Sequence, residues 1–596
     1  MKRNLSFPLI LLLLLLILSF WMTNAYLAPP DFAAYYSYPR SILFDRDLDF
    51  SSEYEHFGYQ KHMFYVTSAN RLSNDWPMGT GLVWTVFLAA GSVPALVSGQ
   101  PLDGYGAPFL SLVTIGILFL VGCGLFGAFR FLARRFGEKT AFASVLMGFF
   151  GTPLLFYSFY GGLMSHATGF FVITFFFILW ADTIRERKRI HWILLGFLAG
   201  LMALVRPQHI LCLVVFPVEY LFKKRGESRE GETFQGGEFL RGSLFAFFFF
   251  ILALLPRFFY RGVVYGNPFF LPKLEEMHWF RPALFETLFS DYHGLLPWTP
   301  LVLPGSLGLF FLWKKNRIMA AGFLACLVLQ LYVNSANQVW WAGGSFSNRR
   351  FTGYGFIFMG GLAALLEDKK RRLWLVPCVL FCMWSFLLVI AERMQLITLE
   401  HYIPWNGAFF RSLGSVLGSP HKWPAALWGD FAGLSLFPRF VAVFFLGGLF
   451  LGMGYLFSWK RIMERKPVGV IGAILIYYIF VTVMVAVSSI RTPALPEKTA
   501  GRCYKTNRFL WNNYYEEGFY LLLKGRLQKS LSAFHKARNL IPERPQPYRY
   551  IGAIHEELGE YDEAERYYLE ALSIDPNYLT AKKSLEAMRR KRKGYW

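Results

Sequence analysis

The chain has 596 residues, 55% of them hydrophobic and 19% aromatic, with 63 Phe. Several uninterrupted apolar runs approach the ~20 residues that cross a bilayer core, which excludes a soluble globular protein. The formal charge is 61 − 39 = +22, but Lys and Arg gather in short loops between apolar runs and no basic groove motif accompanies them, which excludes nucleic acid as a partner.

In chain order, KRNLSFPLILLLLLLILSFWMTNAYLA comes first, with Lys2 and Arg3 ahead of its apolar core. It reads as a retained membrane anchor rather than a cleaved signal peptide. Seven basic clusters follow one another along the chain: Lys2–Arg3, 130–139, 185–189, 223–230, 314–317, 368–372 and 459–466. If all lie on the cytoplasmic side, each consecutive pair encloses an even number of crossings. Two crossings per pair and a last span at 467–488 give an all-α bundle of about thirteen spans, with the N-terminus inside. Parity then forbids 77–99 from crossing, so this segment is expected to lie along or dip into the outer face. Span two falls at 107–131, and 191–222 holds two short spans turning at RPQH (206–209). The outer side receives 29–76, 160–167, 262–298, 334–350 and 392–437. The inner side receives only basic loops, and the chemistry is therefore expected outside, on a multi-pass protein of a plasma (bacterial inner) membrane.

Six Cys are present. Five lie in apolar runs and only Cys503 lies in a polar region; no pair has zinc spacing and there is no disulfide framework to read. The domains expected are a membrane domain at 1–490, a linker at 491–504 and a soluble tail at 505–596. In the tail, KGRLQKSLSAFHKARNLIP and LGEYDEAERYYLEALSIDP align at a spacing of 34, pairing Gly525 with Gly559, Leu527 with Tyr561, Ala537 with Ala571 and Pro542 with Pro576. Small residues there let two helices pack closely, and the Pro ends the second helix. This is similar to the tetratricopeptide repeat. Two units are fewer than the three usually needed alone, so the tail is expected outside, packed on the membrane domain or on a protein partner.

The outer loop after the first segment carries Asp31, Asp45, Asp47, Asp49, Glu53 and Glu55. A first span followed by D-x3-YY (Asp31, Tyr35, Tyr36) and R-S-x3-D-x-D-x-D resembles the integral-membrane glycosyltransferases of the GT-C superfamily. These include protein O-mannosyltransferases, aminoarabinose transferases and oligosaccharyltransferases. DYHGLLPWTPLVL (291–303) and WWAGGSFSNRRF (340–351) are similar to segments of bacterial members, and the resemblance covers the membrane domain.

The resemblance implies transfer of a sugar from a polyprenyl-phosphate donor to a protein, lipid or envelope-glycan acceptor, inverting if one displacement occurs. It gives Asp31 the role of base at the acceptor or of a metal holder beside it. A carboxylate within hydrogen-bond reach of the attacking hydroxyl accelerates such a step, and the leaving phosphate needs cations. PPDFAAYY is also a helix start, with Asp31 as its cap. Glu53 is the second carboxylate considered for catalysis, whereas Asp45, Asp47 and Asp49 read as a solvated edge. The family's second outer acid is missing from YSFYGGLMSHATG, where His166 is the titratable group apart from tyrosines. A divalent metal is therefore doubtful and no cofactor is assigned.

Against the positive-inside bias, Arg206, His209, Arg349 and Arg350 fall on the outer side, and cations at that depth are candidates for the donor phosphate. Snorkelling at headgroup level is the bland alternative. Tyr35, Tyr36, His166, Asp291, His293, Trp340 and Trp341 are the expected acceptor or sugar contacts. Two other readings compete. A transporter or flippase for lipid-linked glycans predicts related halves with broken helices, and no internal repeat is visible in the membrane domain. A scaffold recruiting envelope proteins through the tail does not need so many spans.

Overall fold

The computed structural model describes residues 30–57, 64–160, 163–226, 234–271, 276–397, 399, 405–423, 479–488 and, with short breaks, 511–592. The expected first span, the linker and most of the last span lie outside the described residues. Among the described residues the regular secondary structure is helical, and β structure is limited to the isolated bridges Val66–Leu72 and Met277–Asn337.

The helices that position the site are α1 (Pro30–Arg40), α2 (Gly79–Ala90), α3 (Ala107–Phe136), α4 (Glu138–Phe150), α5 (Ser165–Thr183), α6 (Arg189–Val205), α7 (Val215–Lys224), α8 (Gly236–Ala253), α9 (Val302–Lys315), α10 (Arg317–Ala336), α11 (Gly355–Leu366) and α12 (Leu375–Arg393). The tail adds α13 (Leu527–Leu540), α14 (Pro545–Glu557), α15 (Tyr561–Ile574) and α16 (Leu579–Arg592). Among the described residues, six segments are long and apolar enough to cross a membrane: Gly79–Val97, Ala107–Phe136, Ser165–Thr183, Gly236–Ala253, Arg317–Ala336 and Lys370–Arg393.

The sequence sets where these helices start and stop. Asn316 caps α10, its side-chain oxygen accepting from Met319 N at 2.9 Å, which satisfies one of the amides a helix start leaves open. Packing uses small residues, as expected where lipid supplies no hydrophobic drive between helices. α9 and α11 approach so closely that a Cβ on Gly308 or Gly361 would collide with the backbone of the facing helix.

Charge sorts the two ends of the bundle. Arg134 and Arg135 bind Asp182 at 2.6 and 2.7 Å. Glu219 is shared by Arg187 at 3.0 Å and Lys223 at 2.9 Å, and Lys315 pairs with Glu367. Lys315 also lies over the Phe136 ring. The basic loops at 130–139, 185–189, 223–226, 314–317 and 368–372 thus stand on or beside elements joined at one end of the bundle, here called the basic face. Residues 189–224 form a short hairpin that leaves this face, turns at Arg206 and comes back.

Gly79–Val97 has the length and composition of a span, but its neighbours are unlike those of one. Gly79 abuts Leu204 and Val205, next to the Arg206 turn, while Gly91 abuts Phe109 at the start of α3. Both places are remote from the basic face, whereas α3 itself continues to Arg134 and Arg135. The segment meets the first part of α3 through Phe87 against Gly116 and Phe119.

Gly525 and Gly559, the pair found by the 34-residue spacing, have φ of +67° and +80°. Each closes a helix in the left-handed region that glycine enters at little steric cost. Backbone bonds repeat there as well, Arg526 N to Leu521 O at 2.9 Å and Glu560 N to His555 O at 2.8 Å. The tail packs Phe534, Ile551, Ile554 and Tyr567 into its own small core.

Candidate functional site

Four elements meet at the end of the bundle opposite the basic face. α1 brings Asp31 in its first turn, and α5 brings Ser165 and His166 in its first turn. α6 ends at Val205 because Pro207 follows Arg206. A residue before proline is pushed out of the helical region, and Arg206 is extended, with φ −154° and ψ 120°. Arg349 and Arg350 open the 3-10 turn Arg349–Tyr354, reached through a tight loop with positive φ at Ala342, Gly343 and Ser347.

The contacts join these elements. Asp31 Oδ1 accepts from the Trp76 indole at 3.2 Å, and Asp31 Oδ2 faces Arg349 Nη1 at 3.5 Å. Tyr35 donates its hydroxyl to Ser165 Oγ at 3.1 Å, and Arg206 Nη1 donates to the same oxygen at 3.2 Å. Arg206 Nη1 also lies 3.0 Å from both ring nitrogens of His166. Arg206 is within electrostatic range of Tyr35, Arg349, Arg350 and Asp31. Arg350 Nη1 donates to Asn334 Oδ1 at 2.9 Å. Among the described residues, three guanidiniums share the region with the Asp31 carboxylate, an arrangement that suits an anionic ligand. The Asp31 and Arg349 side chains are 26% and 21% exposed, so both are open to a ligand.

Other residues expected at the site are placed elsewhere or differently. Glu53 is fully buried and lies 3.1 Å from Arg40, at the far end of α1 from Asp31. Burial pushes its carboxyl up to about 7 against the opposing pull of Arg40. Asp45 also pairs with Arg40; Asp47 accepts from Ser41 Oγ at 2.9 Å and Asp49 from Ser51 Oγ at 2.5 Å. These acids fold their own loop. Tyr36 points away from Tyr35 and donates to Gly104 O at 2.5 Å.

His209 is buried in a slot between Gly169 and Gly353, where a Cβ on Gly169 would collide with its ring. It wedges the Arg206 turn against the Arg349 turn rather than reaching the open part of the site. Trp340 and Trp341 are 7% and 2% exposed and present no free ring face of the kind a sugar stacks on. His293 is buried between the rings of Tyr292 at 4.5 Å and Trp298 at 5.2 Å. Burial and the nearby Arg349 charge lower its imidazole to about 3. Asp291 Oδ2 accepts from Trp405 N at 3.4 Å.

Sequence reasoning missed Trp76 and Ser165, which orient Asp31 and Arg206, and Asn334, which holds Arg350. Ser165 stands directly before His166 in MSHATG and was within reach. Trp76 carried no local signal, since 45 residues separate it from Asp31. Among the described residues no three His, Cys, Asp or Glu side chains gather as metal ligands.

The tetratricopeptide repeat family profile matches residues 545–578, which cover α14 and α15. No curated protein matches the chain. Among solved structures, it is similar to the apo crystal structure of the Archaeoglobus fulgidus oligosaccharyltransferase. The identity is 12% and the TM-score 0.33; the match covers 83% of this chain and 57% of that one, so the chain spans less than two thirds of its length.

Proposed function

We propose that this protein is a GT-C-type membrane glycosyltransferase that moves a sugar from a polyprenyl-phosphate donor to an acceptor at the face bearing Asp31. The observation that carries the reading is the partly open Asp31 carboxylate 3.5 Å from Arg349, with Arg206 and Arg350 in the same electrostatic neighbourhood. One group accepts a proton, and several others receive a phosphate.

In this reading the acceptor oxygen attacks the anomeric carbon and its proton passes to an Asp31 carboxylate oxygen. The bond between that carbon and the phosphate oxygen breaks, and the phosphate leaves with the electron pair. Arg206, Arg349 and Arg350 stabilise the charge that develops there. A single displacement inverts the anomeric configuration. Trp76 holds the carboxylate by its other oxygen, and His166 and Ser165 fix the Arg206 head. The positive-inside rule puts the basic face in the cytoplasm and the site on the outer or periplasmic side.

The test is incubation of the purified protein with labelled polyprenyl-phosphate sugars and envelope extract. Label should move to an acceptor, and Arg206→Ala should raise the donor KM about tenfold, the scale of a lost charge-assisted hydrogen bond. Absence of transfer across the donor series, or an Arg206→Ala donor KM equal to that of the native chain, would count against the reading.

A further inference from the structure

At the start of the tail, ahead of α13, the described side chains divide into two sets. Trp511, Tyr515, Gly518 and Phe519 face the repeats: the Trp511 and Tyr515 rings stack at 4.8 Å, Tyr515 meets Phe534 at 5.7 Å, and Ser530 Oγ donates to Gly518 O at 2.6 Å. Tyr514, Glu517 and Leu521, spaced three and four apart, share another side. That side meets the loops of the membrane domain. The Tyr514 hydroxyl donates to Glu276 Oε1 at 2.7 Å, Gln338 Nε2 donates to Glu517 Oε2 at 3.4 Å, and Leu521 joins a cluster with Tyr292, Val339, Trp340 and Trp341. The interface is dry enough that burial pushes the Glu517 carboxyl above its ordinary range.

The contact continues to the site through buried polar groups. The Trp340 carbonyl accepts from Asn334 Nδ2 at 3.2 Å and from Asn348 Nδ2 at 2.9 Å. Asn334 turns its own oxygen to Arg350 Nη1, and Asn348 immediately precedes Arg349. One asparagine therefore bonds both the residue clamped by the tail and a guanidinium of the site. Segment 338–347 has no helix of its own; turns such as Ala342 N to Val339 O at 3.0 Å act together with these outside partners to set its shape.

We propose that Tyr514, Glu517 and Leu521 form a positioning element of the site: they clamp 338–341 and thereby hold Arg349 and Arg350 in the arrangement that binds the anion. The inference rests on the reading of these arginines as phosphate ligands. Anything that draws these three tail side chains away, such as a protein seated on the repeats, then lowers the affinity for the lipid phosphate.

Two readouts on the full chain in detergent test it, with farnesyl phosphate as the probe. Backbone amide exchange of 338–350 should be faster in Leu521→Asp and in the milder Tyr514→Phe/Glu517→Gln pair, and normal in Leu521→Met, because local opening sets exchange. Farnesyl phosphate should bind Leu521→Asp about tenfold more weakly if the competent loop falls to about one tenth of the population. Unchanged exchange at 338–350 in both variants overturns the clamp whatever the protein does. Faster exchange with undiminished binding, while Arg350→Ala weakens it, overturns the link to the site but leaves the arginines as anion ligands. Absence of binding even by the native chain overturns both the phosphate reading and the claim that the tail sets the affinity.

Discussion

Arg206 sits at the site because of its neighbour Pro207, which ends α6 and leaves the guanidinium at the helix end beside Ser165 and His166. The same local logic separates the two carboxylates considered for catalysis. Asp31 is partly open and faces Arg349, whereas Glu53 is enclosed and faces Arg40. Glu53 consequently predicts a stability effect rather than a catalytic one. Its carboxyl is raised from 4.5 to about 7 by burial, so the folded chain holds this proton more tightly than the unfolded one. The associated stability is fully present below about 4.5 and is lost as pH rises through about 7. Thermal unfolding in detergent should show the midpoint falling across that window, with a shallower fall in Glu53→Gln. Equal slopes in the two proteins would show that the carboxyl does not titrate there.

The helices show what the sequence made legible. Basic loops and apolar runs were enough to anticipate the short hairpin turning at 206–209, because both signals are local. The 34-residue spacing was equally legible, since a left-handed turn recurs at Gly525 and Gly559. Long-range pairings were not. Nothing near Asp31 announces Trp76, 45 residues away, and nothing near Tyr35 announces Ser165, 130 residues away. Residue type also misled: the paired tryptophans read as a sugar platform, yet they fill the interior under the tail. The α9–α11 contact gives a prediction at this scale. Gly361→Val places a branched side chain against the backbone around Gly305 and should destabilise the bundle by about 1–3 kcal/mol or more. The same change at Gly414, which has open space around it, should be mild; equal midpoints for the two variants would mean that α9 and α11 do not touch so closely.

Among the described residues, the basic loops and the candidate site occupy opposite ends of the bundle. The basic loops meet at one end, while Asp31, the three arginines and the docked tail lie at the other. Positive loops stay on the cytoplasmic side during insertion, so cysteines introduced at 102 and 558 should both react with an impermeant reagent applied from outside, and one at 225 should not. Labelling of 102 and 558 from opposite sides would break the tail–loop contact as a feature of the native chain. The central claim, that Asp31 takes the acceptor proton beside a cationic phosphate site, is tested most directly by Asp31→Asn. This change keeps the side-chain size but removes the base. The account predicts that the variant inserts and binds farnesyl phosphate as the native chain does, while transfer from labelled polyprenyl-phosphate sugar falls by about two to four orders of magnitude. Near-native transfer by Asp31→Asn would contradict it.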